Sequence, residues 1–180
     1  MVDQGNSERR HQINLLTRMN RGRRSTYAYL AAATEALGET VPLDALISLP
    51  DTDRIVESFR RGYRAAVSEN VIACRKFFAA GQDEHVARMA DRLGEQLSDE
   101  PAYLVTRKSE DCGAIRLRLG AALRHAIAII RLDGDSLSAL SLDETEGLLI
   151  DHNSDDESDN YEVTVWGDRW AIAALSCTTD

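Results

Sequence analysis

Asp151, Asn153, Asp155, Asp159 and Glu162 are the residues whose types and spacing come nearest to a chemical function. Their oxygens fall at positions 1, 3, 5, 9 and 12 of a twelve-residue calcium loop, a spacing that wraps a hard cation in oxygen ligands. Two residues oppose that chemistry. Position 6, where glycine permits the sharp turn, is Asp156, and position 8, usually aliphatic, is Ser158. The flanking GLLI and VTVW have the composition of strands, whereas a calcium loop of this type sits between helices. Asp156 and Glu157 add repulsion without easing the turn. The stretch therefore reads as a solvated hairpin loop, and neither a metal nor a cofactor is expected.

Catalytic signatures are missing elsewhere as well. His11, His85, His125 and His152 fall in no HExxH, HxH or HxxE arrangement, and the chain contains no GxSxG, GxxxxGK[ST] or GxGxxG. Asp133 and Asp135 stand two apart, as metal-holding carboxylates do in many phosphoryl-transfer sites, but Gly134 between them fits a turn. If the chain is an enzyme, these two and the 151–162 loop offer a metal-dependent reaction. The expectation is a protein without catalysis.

Recognition is what the sequence indicates positively. From Leu132 onward there are thirteen acidic residues and one basic, a charge of −12, while the whole chain is −9, so residues 1–131 carry +3. Asp151, Asp155, Asp156, Glu157 and Asp159 cluster near Tyr161, Trp166 and Trp170, combining a single-sign field for steering with aromatic anchors for affinity. Inhibitors of nucleases and other basic toxins present carboxylates where the toxin would hold phosphates. The first expectation is accordingly a binding protein of the inhibitor or immunity type, blocking a basic, nucleic-acid-acting or toxin partner with its acidic C-terminal face. The plainer alternative is that both tryptophans fill the core.

The opposite end is basic. Residues 1–24 hold Arg9, Arg10, Arg18, Arg21, Arg23 and Arg24 against Asp3 and Glu8, a charge of +4. Ile13, Leu16 and Met19 recur at helical spacing within this arm. A second function follows from it, a subunit of a nucleoprotein assembly whose arm contacts phosphates. The alternative is a strap across the protein's own acidic half. An overall pI near 4.9 opposes general affinity for nucleic acid or an anionic membrane. The start has no apolar signal region and the longest aliphatic run is AIAII at 126–130, so a cytoplasmic protein is expected. Cys74, Cys112 and Cys177 lack a CxxC pair and are expected to be buried as small hydrophobes.

The elements that must position these residues divide the chain. The arm predicts a short amphipathic helix, followed by a second helix from Ser25 or Thr26 as N-cap to Gly38. Residues 41–50 predict a connector with one helical turn. Asp51 is expected to cap a long helix in which Ile55, Val56, Phe59, Tyr63, Ala66, Val67, Val71, Cys74, Phe77 and Phe78 form one stripe as far as Gly81, and Asp83 to cap another that ends before Pro101. Beyond Pro101 the period changes from 3.6 to 2, predicting strands at 102–106, 114–119, 136–142, 147–151 and 161–166. Residues 120–130 predict a helix packed on the sheet, running at its end toward a strand, and 152–160 a polar loop. The expected fold is α+β: a helical subdomain over 1–98 with its basic arm, packed with a mainly antiparallel, acidic β-rich subdomain over 99–180, the two able to form one compact domain.

Overall fold

The computed structural model describes residues 4–68, 71–79, 81–155 and 158–177. The chain runs α1 (Gln4–Leu37), a 3₁₀ turn (Leu43–Ala45), α2 (Leu49–Val67), β1 (Ala73–Phe78), α3 (Asp83–Gln96) and β2 (Pro101–Val105). It continues through α4 (Ser109–Cys112), β3 (Ile115–Arg118), α5 (Leu119–Arg124), α6 (Ala126–Asp133), β4 (Ser136–Ser141), β5 (Gly147–Asp155), β6 (Ser158–Trp166) and α7 (Asp168–Ser176). The strands form a six-stranded sheet in the order β1-β6-β5-β4-β2-β3, with every neighbouring pair antiparallel. The protein is α+β, as its change of hydrophobic period predicts.

Both faces of the sheet are covered. Leu104, Leu137, Ala139, Leu148, Ile150, Val163 and Val165 join the larger core, which also takes Tyr29 and Ala33 from α1, Leu93 from α3, Ile129 from α6 and Trp170 from α7. On the other face α2 packs Ile55 and Ala66 against Leu140 and Trp166. The larger core thus closes around residues from before and after position 98, and β1 supplies the sheet edge from the first part of the chain. Double coverage explains β6: all of Tyr161, Val163, Thr164, Val165 and Trp166 are buried, although their alternation with polar residues predicts one wet face.

Three differences from the sequence expectation concern the helices. The arm and the helix after it are one helix, because Ser25 and Thr26 do not cap. Ser25 Oγ donates to the Arg21 carbonyl at 3.2 Å and Thr26 Oγ1 to the Gly22 carbonyl at 2.7 Å, the back-bonding that lets a hydroxyl residue sit inside a helix. Gly38 does end it, at φ +66°. Second, α2 stops at Val67; its stripe continues in sequence at helical spacing into residues that form β1, where Cys74 and Phe78 face the larger core and Phe77 does not. The cap of α2 is Ser48, whose Oγ accepts from the Asp51 N–H at 3.3 Å and donates to Asp51 Oδ2 at 2.6 Å. Third, 120–130 forms α5 and α6 separated at His125, and α6 ends at Gly134 in the left-handed region rather than entering a strand. Among the described residues no helix is long and apolar enough to cross a membrane.

Candidate functional site

The polar stretch 152–160 is not the loop its composition predicts. The β5–β6 ladder continues through His152↔Tyr161, Asn153↔Asn160, Ser154↔Asp159 and Asp155↔Ser158. The neighbours stop earlier: β4 pairs with β5 only as far as Ser136↔Asp151, and β1 with β6 only as far as Phe78↔Tyr161. The last three pairs therefore form a two-stranded ribbon reaching on the order of 10 Å past the sheet, at about 3.4 Å per residue. Asp155 and Asp159 lie on its backbone. Asp156 and Glu157 lie outside the described residues, as do the side chains of Asp155 and Asp159. The root of the ribbon is fastened on one side by Tyr161, whose hydroxyl donates to Asp83 Oδ1 at 3.0 Å and whose ring stacks on His152 at 4.4 Å.

The acids nearer the body of the sheet are largely consumed by the fold. Glu162 accepts from Arg75 at 2.7 Å, Glu144 pairs with Arg54 and accepts from Ser58 at 2.6 Å, and Asp135 pairs with Arg107. Glu146 is buried, with Oε1 accepting from the Arg169 N–H at 2.9 Å and Oε2 lying 3.0 Å from the Arg169 guanidinium, near it but not aligned as a hydrogen bond. Asp143 accepts from the hydroxyl of Ser141 and from Thr145, and the Ser141 bond leads the causes that hold its carboxyl below the usual range. The acidity of the sheet is thus mostly structural, and the ribbon is where it projects beyond the fold.

Asp151 is the exception within the sheet. It lies directly opposite Glu162, half-buried, and burial first, then the carboxylates of Asp135 and Glu162, push its carboxyl above the ordinary value. A carboxyl raised in the folded state binds its proton more tightly there than when unfolded, so stability falls as pH rises from about 3.9 through the raised value. Asp151→Asn removes a like-charge cross-strand pair and should stabilise the protein at pH 7.5 by about 0.5 kcal/mol. Near pH 4 the gain should vanish. Urea unfolding of both proteins at the two pH values reads the difference directly, and an equal gain at both would exclude charge as its cause.

The expected aromatic anchors are core, which corrects one part of the sequence reading. Trp170, on α7, is fully buried and Trp166 is 2% exposed, held edge-on to Phe59 at 5.2 Å, while Tyr161 is buried at the ribbon's root. An exposed aromatic does lie beside Glu162: Phe77, 64% accessible on the outermost strand and paired with it in register. Arg75 lies 5.5 Å over its ring and also reaches Glu162. Sequence periodicity assigns Phe77 to a helical stripe; the signal for its exposure is the adjacent Phe78, since two successive aromatics in a strand point to opposite faces.

Asp133 and Asp135 serve the turn after α6. The Arg107 N–H donates to Asp133 Oδ1, Ser136 Oγ donates to Asp133 Oδ2 at 3.2 Å, and burial pushes the Asp133 carboxyl above its usual value. Among the described residues no group of three or more histidines, cysteines or acids is arranged to hold a metal ion. Arg18 is a structural member of the basic arm: it forms two hydrogen bonds with the Asp53 carboxylate, at 2.9 and 2.8 Å, and donates to the Glu110 carbonyl at 2.6 Å. It therefore straps α1 to α2 and to α4, the latter within the 99–180 part of the chain. Arg9, Arg10, Arg21, Arg23 and Arg24 are exposed on α1 and make no ion pair among the described residues. Cys74, Cys112 and Cys177 are buried free thiols. No protein family, curated protein sequence or solved structure matches this chain.

Proposed function

We propose that the protein is a non-catalytic binding protein that holds a basic protein partner against the acidic β5–β6 ribbon, with Phe77 at the ribbon's root as its apolar contact. The partner class is a nucleic-acid-acting enzyme or toxin, whose phosphate-binding surface the carboxylates would occupy, as an inhibitor or immunity protein does. The observation that carries the reading is the extension of an acid-bearing ribbon past both neighbouring strands, while the other sheet acids, Asp151 excepted, are taken up by arginines and hydroxyls. A projecting element presents charge where it acts on a diffusing partner before contact, and an exposed aromatic beside it supplies desolvated area after contact.

The test uses two baits in lysate of the source cells: the protein itself, and a form with Asp155, Asp156 and Asp159 changed to Asn and Glu157 to Gln. A stoichiometric basic protein retained by the first and absent from the second is the expected result. Equal capture by both baits would remove the ribbon from the interface. Nuclease treatment of the lysate separates the second reading, in which the five arm arginines not tied into the fold contact nucleic acid. Capture that depends on intact nucleic acid and on residues 4–24, and not on the ribbon, would make that reading the better one.

A further inference from the structure

We propose that the cleft where α1 crosses the β2–α4 turn and the end of α6 is a binding site for a small apolar α-amino acid. Ala28 and Ala32 of α1 and Leu132 of α6 give it an apolar wall, and Lys108 and Asp133 bring one charge of each sign to it. Tyr29 and Thr106 line it as well, and both are more than nine-tenths buried. None of these residues belongs to β1, β5 or β6, so the site stands apart from the ribbon.

The sequence opens this space with small residues at helical spacing. Ser25, Ala28, Tyr29 and Ala32 stand at i, i+3, i+4 and i+7, so one face of α1 turns all four to the cleft, and the two alanines leave room that larger side chains would fill. A chain of hydroxyls runs behind the wall. Tyr29 Oη and Thr106 Oγ1 share a hydrogen bond of 2.9 Å, Thr106 Oγ1 and Ser109 Oγ lie 3.4 Å apart, and Ser109 Oγ accepts from the Thr106 N–H at 3.0 Å. Three hydroxyls joined by two such bonds hold one hydrogen more than the chain itself uses. Running from Ser109 to Tyr29, the chain places that hydrogen on the phenol, where an incoming carboxylate oxygen accepts it.

The chemical class follows from the charges and the size. Asp133 Oδ1 accepts from the Arg107 N–H and Oδ2 from Ser136 Oγ at 3.2 Å, and each oxygen keeps a lone pair for an ammonium hydrogen. Burial raises the Asp133 carboxyl, and a cation beside it offsets that cost. Lys108 supplies the counter-charge for a carboxylate. An apolar cavity of about 150 Å³ already admits benzene. The cleft measures about 220 Å³, room for a branched aliphatic side chain with its two charged groups toward Lys108 and Asp133. In so small a space a ligand of one sign meets its own charge on one wall, so the zwitterion is the match.

Calorimetric titration with L-leucine, isocaproate and isoamylamine tests the site, the last two being leucine without its ammonium and without its carboxylate. One-site binding of L-leucine is expected, with each truncated ligand about tenfold or more weaker, since a charge-assisted bond is lost. Lys108→Met should weaken L-leucine by about tenfold and change isoamylamine by less than about twofold. Ala28→Leu, which fills the cleft, should weaken L-leucine by about tenfold or more, whereas Ala31→Leu, next to the lining face of the same helix and not part of it, should stay within about twofold. Lys108, Ala28 and Ala31 are exposed, and leucine is a strong helix former, so the variants keep the fold, and circular dichroism checks it. Absence of saturation at about 10 mM L-leucine, a truncated ligand that binds as tightly as L-leucine, or equal weakening by Ala28→Leu and Ala31→Leu would overturn the proposal.

Discussion

Replacing Trp166 by alanine should lower the stability of this protein by about 3–5 kcal/mol, the cost of emptying a large aromatic site in a core. At roughly 2–4 °C per kcal/mol for a chain of this length, the melting temperature should fall on the order of 10 °C. The site has little capacity to collapse. Trp166 is the β6 residue against which α2 packs, meeting Phe59 at 5.2 Å and Tyr63 at 6.4 Å between ring centres. Two glycines make room for it: a Cβ on Gly62 would overlap the indole Nε1, and a Cβ on Gly147 would overlap the six-membered ring. Helix and strand have therefore each given up a side chain to seat the indole, and neither has one with which to refill the space. Phe77→Ala is the counterpart, since a ring already in water contributes little to folding and should change stability by less than about 0.5 kcal/mol. Denaturant unfolding of the two variants separates the core aromatic from the exposed one. A Trp166→Ala cost below about 1 kcal/mol would mean that α2 is not pinned to the sheet through this residue.

The legible parts of the fold were those where one local rule acted alone. The stripe of α3, the alternation of Ile115, Leu117 and Leu119 and the glycine after α1 each report a single element, and each element is present. The misread parts are those where two signals overlap. Val67, Val71, Cys74 and Phe78 continue a helical spacing across the end of α2, so periodicity alone joins a helix to a strand. Ser25 and Thr26 carry the chemistry of a cap and use it on carbonyls four residues back, a choice fixed by the packing of α1 on the body, where Gly22 passes so close to the Asp111 carbonyl that a Cβ would overlap it. The ribbon is the converse case: its side chains are those of a loop, and the backbone ladder forms because the register is already set by Gly147↔Trp166 through Asp151↔Glu162 in the buried sheet.

The candidate sites divide in the same way. The concentration of acids is visible in composition, but which of them are held by Arg54, Arg75, Arg107 and Arg169 is a matter of tertiary contact between distant segments. The aromatic residues nearest to those acids in sequence were the natural choice of anchor, and doubly covered β6 took them into the core.

Neutralising the ribbon should act on how fast the partner arrives rather than on how the protein folds. Asp155, Asp156 and Asp159 as Asn with Glu157 as Gln remove four charges from an element whose described backbone pairs only with itself beyond His152 and Tyr161, so stability should stay within about 0.5 kcal/mol. A charged projection accelerates association by about 10- to 1,000-fold at low ionic strength, and its removal should reduce the association rate by at least tenfold there. The difference should narrow as salt rises, because at about 0.15 M the screening length is roughly 8 Å, shorter than the ribbon's reach. Phe77→Ala should give the opposite pattern, a faster dissociation with the association rate nearly unchanged, because an apolar contact forms only after docking. Measured on the partner that the wild-type bait retains, the two variants separate steering from anchoring on one surface. An association rate that four lost charges leave unchanged at low salt would mean that the partner approaches elsewhere, and that the ribbon's acidity is not what brings it in.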